Sequence, residues 1–247
     1  MRLIADCGNT NVKLAVADSN RIEAFARLPP DPAKLSAFFA VHDDAITSCV
    51  ALPGSKANSE IFRKWWKQVG KGRRRWLLGT DITVPDLGQY PGIGLDRVVA
   101  GLAACLRRRQ PQIIIDAGTA TTITAWHCAD TSAPPGGVGF LGGLILPGAR
   151  TAIAGLATLA PALPAVDPHG PESNALQHST VGAIGAAMGI GYGPMVAACL
   201  VKLERETGIK SVVATGGNCD LLIQSNVINP DQVFEHLVVE GVALLAG

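Results

Sequence analysis

The segment Ile4-Ala5-Asp6-Cys7-Gly8-Asn9-Thr10 has a counterpart 110 residues further on, Ile114-Ile115-Asp116-Ala117-Gly118-Thr119-Ala120. Each is an apolar run that ends in Asp, followed by a variable residue, Gly, and then Asn or Thr. Both continue into β-rich runs, residues 11–16 and 121–126. So long a period lies far beyond solenoid repeats. It predicts two similar α/β domains, each opening with strand–turn–strand. The Arg-rich sequence before Pro111 places the boundary near residues 107–111, giving domains 1–109 and 110–247.

The remaining pattern is α/β throughout. Strands are expected at 2–7, 11–17, 46–52 and 112–116, and helices at 33–41, 59–69, 220–224 and 240–245. Residues 95–109 fit a helix of period 3.6 through Val98, Val99, Leu102 and Leu106, with Arg107-Arg108-Arg109 opposing the dipole in its last turn. That triplet and Arg73-Arg74-Arg75 read as solvated surface. Aromatics are only 5% of the 247 residues, against 28 Gly and 16 Pro, so the core is aliphatic and the turns are many. Lys and Arg total 21 against 20 Asp and Glu. Without a basic excess, a general nucleic-acid binder is disfavoured.

Six cysteines at 7, 49, 105, 128, 199 and 219 include no C-x-x-C pair. An acid as early as Asp6 argues against a signal peptide. Reduced thiols in a cytoplasmic protein are the expectation. Residues 179–201 carry no charge but contain Gly182, Gly185, Gly189, Gly191, Gly193 and Pro194. A buried helix with a close-packed face of small residues accounts for them better than a membrane span.

Four segments can carry chemistry. A strand-end Asp can hold a hydrated cation, as at Asp6 and Asp116. Gly8 and Gly118 let backbone N–H groups face an anion, while Thr10, Thr119 and Lys13 add donors. One such hairpin is a common turn. Two in equivalent places favour a nucleotide held between the domains, with duplicated turns lacking any ligand as the alternative. Thr215-Gly216-Gly217-Asn218 follows a strand and lets a planar base approach the backbone, unless it is an ordinary β–α turn. In Tyr90-Pro91-Gly92-Ile93-Gly94-Leu95-Asp96-Arg97, Asp96 can accept a hydroxyl proton while Arg97 and Tyr90 hold the acceptor. Otherwise Asp96 merely complements the helix dipole and Arg97 makes a surface ion pair.

Two look-alikes fail. Gly137-Val138-Gly139-Phe140-Leu141-Gly142 has the G-x-G-x-x-G spacing, but Pro134-Pro135 stands where a strand is required and no helix follows. His127-Cys128-Ala129-Asp130 fits a hairpin turn better than a metal site.

With these residues in place, the chain resembles the type III pantothenate kinases of the actin/sugar-kinase/Hsp70-like ATPase superfamily. Asp6-Cys7-Gly8-Asn9-Thr10-Asn11-Val12-Lys13 is similar to the first phosphate motif, and Asp116-Ala117-Gly118-Thr119-Ala120 to the second. Gly94-Leu95-Asp96-Arg97 resembles the pantothenate-binding G-x-D-R. Residues 142–148, Leu163-Pro164, residues 179–184 and Thr215-Gly216-Gly217 follow in family order. Gly182 departs from the polar or acidic residue of many relatives, and residues 18–85 carry little resemblance.

The resemblance implies two ribonuclease-H-like (actin-like ATPase) domains with a nucleotide cleft between them. It implies ATP-dependent phosphorylation of pantothenate to 4′-phosphopantothenate, the first step of coenzyme A biosynthesis. Asp96 would then be the catalytic base. ATP would meet Asp6, Cys7, Gly8, Asn9, Thr10, Asn11, Val12, Lys13, Thr119, Gly216 and Gly217. Pantothenate would meet Tyr90, Gly94, Leu95, Asp96, Arg97 and Thr180. Asp116 would bind K⁺ or NH₄⁺, and Asp6 would position Mg²⁺ through water. A homodimer would share its sites through the helix of Thr180, with no nucleic-acid or membrane partner. Another small-alcohol or sugar kinase of this superfamily, or a nucleotide-binding accessory protein, is the alternative.

Overall fold

In the computed structural model, which describes residues 1–129, 137–167 and 174–247, each copy of the repeat lies at the centre of its own sheet. Strands β1 (Arg2–Cys7), β2 (Val12–Asp18), β3 (Arg21–Leu28), β4 (Ser48–Leu52) and β5 (Arg75–Leu77) lie in the order β3-β2-β1-β4-β5. Strands β6 (Gln112–Ala117), β7 (Ala120–Cys128), β8 (Val138–Pro147) and β9 (Val212–Thr215) lie in the order β8-β7-β6-β9. In both sheets the strand with Asp next to its last residue has an antiparallel hairpin partner on one side and a later parallel strand on the other. Central strands covered on both faces read as unbroken apolar runs, and β1 and β6 do so.

One face of the first sheet packs on α1 (Pro32–Ala40) and α2 (Lys56–Val69) through Leu35, Phe39, Phe62, Trp65 and Trp66. On the other face lies α7 (Leu237–Ala246), packed also on α3 (Leu95–Arg108). Gly241 permits that approach, since a Cβ there would strike the Val99 carbonyl. Arg107 donates to both Glu240 carboxylate oxygens, at 2.9 and 2.8 Å. The arginine triplet is therefore not simply solvated, because its first member ties α3 to α7.

The expected cut after residue 109 does not follow the packing. Met1–Arg109, Cys128–Phe140 and His236–Gly247 form one compact unit, and Gln110–His127 with Leu141–Glu235 forms the other. The C-terminal helix returns because its apolar face is needed to cover the first sheet.

In the second unit, α4 (Ala149–Leu159), α5 (Thr180–Thr207) and α6 (Cys219–Gln224) accompany the sheet. Helix α5 buries Ala186, Tyr192, Val196, Leu200 and Leu203. Val181, Ile190, Met195 and Val201 remain exposed, so the expected buried helix is buried on one face only. By length and composition α5 could cross a membrane. Strands β3, β5 and β8 and helix α4 come in addition to the expected elements. The G-x-G-x-x-G look-alike runs into β8, and no helix opens there. Asp130, Pro134 and Pro135 lie outside the described residues.

Candidate active site

Register places the first charges. Asp6, near the end of β1, pairs across the ladder with Lys13 of β2, whose Nζ lies 2.9 Å from Asp6 Oδ2. Cys7 and Val12 close that ladder with side chains in the core, so they can offer a ligand only backbone groups. Burial pushes the Cys7 thiol up to about 12, which keeps it neutral and unreactive.

The turn after Cys7 is held by a segment that the sequence left silent. Ser55 N–H donates to the Cys7 carbonyl at 2.8 Å. The buried Asn58, in the first turn of α2, donates from Nδ2 to the carbonyls of Gly8 at 2.6 Å and Asn9 at 3.0 Å. A Cβ on Gly54 would come within 2.5 Å of the Cys7 carbonyl oxygen, so glycine is required for the approach. A lone Asn in a helix carries no motif, and its role emerges only when β4 pairs with β1.

Helix α3 positions the acceptor-side residues. Gly94 caps its start, and Asp96 in the first turn accepts the Arg97 N–H on Oδ1 at 2.9 Å. A Cβ on Gly94 would strike that oxygen, so the glycine makes room for the carboxylate. Asp96 remains open to solvent, yet surrounding protein reduces its hydration and raises its pKa, with the like charge of Asp6 adding to the effect. The Arg97 N–H, Lys13 and the Arg97 charge oppose it. Arg97 Nη2 donates to Tyr90 Oη at 2.8 Å, with the guanidinium 5.6 Å from the ring centre. Tyr90 in turn meets Phe140 edge to face, a support absent from the motif reading. The first unit thus assembles Asp6, Lys13, Tyr90, Asp96 and Arg97, while half-buried Leu95 supports the start of α3.

The second unit repeats the hairpin. Asp116 stands between Thr122 of β7 and Thr215 of β9 in register. Thr215 is fully buried, and its Oγ1 has no hydrogen-bond partner among the described residues. Asn218 donates its N–H to Ala117 and its Nδ2 to Gly118, both at 2.9 Å. Gly216 has φ +105°, and a Cβ there would lie 2.5 Å from the Ala117 carbonyl carbon. Gly217 is exposed beside it, as is Thr119, whose carbonyl accepts from Gly148 N–H and the Thr151 hydroxyl. Thr180 is exposed at the start of α5, where Ser179 Oγ accepts the Gly182 N–H at 3.1 Å. A side chain at 182 would crowd Gln177 and Ser179, which gives its glycine a local reason.

The sequence model of the type III pantothenate kinase family matches residues 2–202. A type III pantothenate kinase of Porphyromonas gingivalis is 33% identical, covering 94% of this chain and 93% of its own. One from Rhizorhabdus wittichii is 26% identical, covering 99% and 97%. A Baf family protein from Campylobacter jejuni has a similar structure, with TM-score 0.53 at 17% identity, over 97% of this chain and 94% of its own. That likeness concerns the fold, which is of the actin-like ATPase type. The sequence match along most of the chain carries more: this protein belongs to the type III pantothenate kinase family, whose members phosphorylate pantothenate with ATP in coenzyme A synthesis.

Proposed function

We propose that Asp96 is the base for this ATP-dependent phosphorylation of pantothenate to 4′-phosphopantothenate. The observation that carries the assignment is its carboxylate: open to solvent, raised in pKa and flanked by Arg97 and Tyr90. Pantothenate's hydroxyl donates to Asp96 as its oxygen attacks the γ-phosphorus. The new O–P bond forms as the bond to the β–γ bridging oxygen breaks, the proton passes to Asp96, and ADP leaves. Positioning suffices for a loose phosphoryl transition state, so a modest base is adequate. Arg97, oriented by Tyr90, binds the substrate carboxylate. Gly94, Leu95 and Thr180 shape the rest of the acceptor site.

ATP phosphates meet the backbone of residues 6–13, Lys13 and Thr119, and adenosine lies against Gly216 and Gly217. Asp6 fits a divalent ion held through water. Among the described residues no group of three potential ligands forms a cage, so Mg²⁺ would keep its waters and take oxygens from phosphate. Such an ion offsets phosphate charge. Asp116 and the Thr215 hydroxyl, which has no hydrogen-bond partner among the described residues, offer oxygen ligands that fit K⁺ or NH₄⁺. The exposed apolar residues of α5, with Leu156 and Leu159 of α4, support a homodimer formed through that helix. A cytoplasmic enzyme with no nucleic-acid or membrane partner completes the proposal.

A coupled ADP-release assay with and without pantothenate, K⁺ and Mg²⁺ tests the reading. Turnover should need pantothenate and fall when K⁺ is exchanged for Na⁺. Preference for a hexose would overturn the substrate. A monomer by sedimentation would remove the shared site.

A further inference from the structure

The two hairpins are held by matching parts. After β4, Gly54 lies against the Cys7 carbonyl, Ser55 N–H donates to it, and Asn58 Nδ2 donates to Gly8. After β9, Gly216 lies against the Ala117 carbonyl, Asn218 N–H donates to it, and Asn218 Nδ2 donates to Gly118. Cys7 and Gly8 are the repeat counterparts of Ala117 and Gly118. Both asparagines are at least nine-tenths buried.

In a planar trans peptide the C=O and the following N–H point in opposite directions. Drawing the Gly8 and Asn9 carbonyls toward Asn58 therefore turns the Asn9 and Thr10 N–H groups away from α2. Drawing the Gly118 carbonyl toward Asn218 does the same for Thr119 N–H. An unbraced turn could flip these peptides and present carbonyl oxygens to an anion. We propose that Asn58 and Asn218 are paired positioning residues that fix both turns with their N–H groups presented to the phosphates of ATP. The proposal rests on the reading of these hairpins as phosphate sites.

Calorimetric titration with a non-hydrolysable ATP analogue tests it, alongside steady-state kinetics. Asn58→Ala and Asn218→Ala should each weaken nucleotide binding and raise KM for ATP about tenfold, the equivalent of one buried hydrogen bond. KM for pantothenate should stay near that of the unmodified enzyme. Asn58→Asp keeps the shape but sets a carboxylate against two carbonyls, and its protonated form regains a donor. Its nucleotide affinity should therefore recover as the pH is lowered from about 8 toward 6, burial having raised the new acid's pKa. The unmodified protein should show no such recovery.

Unchanged nucleotide affinity in folded Asn58→Ala overturns the proposal. If that variant fails to fold, a pH profile of Asn58→Asp parallel to that of the unmodified protein overturns it instead. A nucleotide-binding protein without pantothenate-dependent ADP release would break the functional reading and leave the brace standing.

Discussion

The β1–β2 and β6–β7 hairpins share a brace, yet one residue of turn length puts different side chains opposite their aspartates. Between the last paired residues, Cys7 and Val12, the first turn has residues 8–11; between Ala117 and Thr121 the second has 118–120. The first register sets Lys13 opposite Asp6, and the second sets Thr122 opposite Asp116. Asp6 is therefore neutralised by a cation and lies in the electrostatic surroundings of Asp96. Asp116 instead sits between two threonines. The backbone scaffold is duplicated while the charge is not, and the different roles proposed for the two turns rest on that difference.

The sharpest test of that asymmetry is Asp96→Asn. It should lower kcat by about 10²–10⁴-fold, the usual scale of general-base catalysis, with little change in nucleotide affinity. Near-normal turnover would remove the charge difference as the organising feature of the first unit.

Next in size are the two brace glycines. Gly216→Ala should cost about 2–3 kcal/mol in denaturant unfolding, because it combines a positive φ with a backbone clash. Gly54→Ala, which meets the clash alone, should cost about 1–2 kcal/mol. The reverse order would show that the matched positions are not mechanically equivalent.

The acid limb of kcat/KM sharpens the comparison further. As the proposed base, Asp96 must be ionised to take a proton, so its raised pKa predicts that activity is lost at a higher pH than for an ordinary aspartate. Asp6→Asn removes a like charge and should shift the limb to lower pH; Lys13→Gln removes an opposing charge and should shift it higher. Asp116→Asn should leave its position unchanged, whatever it does to the rate. Smallest is Arg107→Ala, which breaks the exposed α3–α7 pair and should lower stability by about 0.3–1 kcal/mol in thermal melts.

Much of the candidate site is legible in sequence because its parts are local. Asp6 through Lys13 is one hairpin, and Gly94 through Arg97 is one helix start. Asn58, Phe140 and the Thr215 hydroxyl are not legible, since each acquires meaning from a neighbour distant in the chain. The ungapped repeat also misleads beyond the turn: it sets Lys13 over Ile123, whereas pairing sets it in the place of Thr122. Likewise, uncharged sequence marks most of helix α5, which runs on through Lys202 to Thr207, but which face is covered depends on Tyr192, Val196 and Leu200 meeting the second unit's core.

Sequence alone determined that two Asp-ended strands open two α/β halves and that one helix begins with Asp96-Arg97. Chain-local pattern encodes such things, because strand alternation, turn residues and caps act within a few positions. Only tertiary structure decided that α7 belongs to the first unit, that Gly54 and Gly216 are counterparts, and that buried asparagines hold both turns. Those features arise when strands far apart in sequence become neighbours, since a buried carbonyl must then find a donor wherever the fold supplies one.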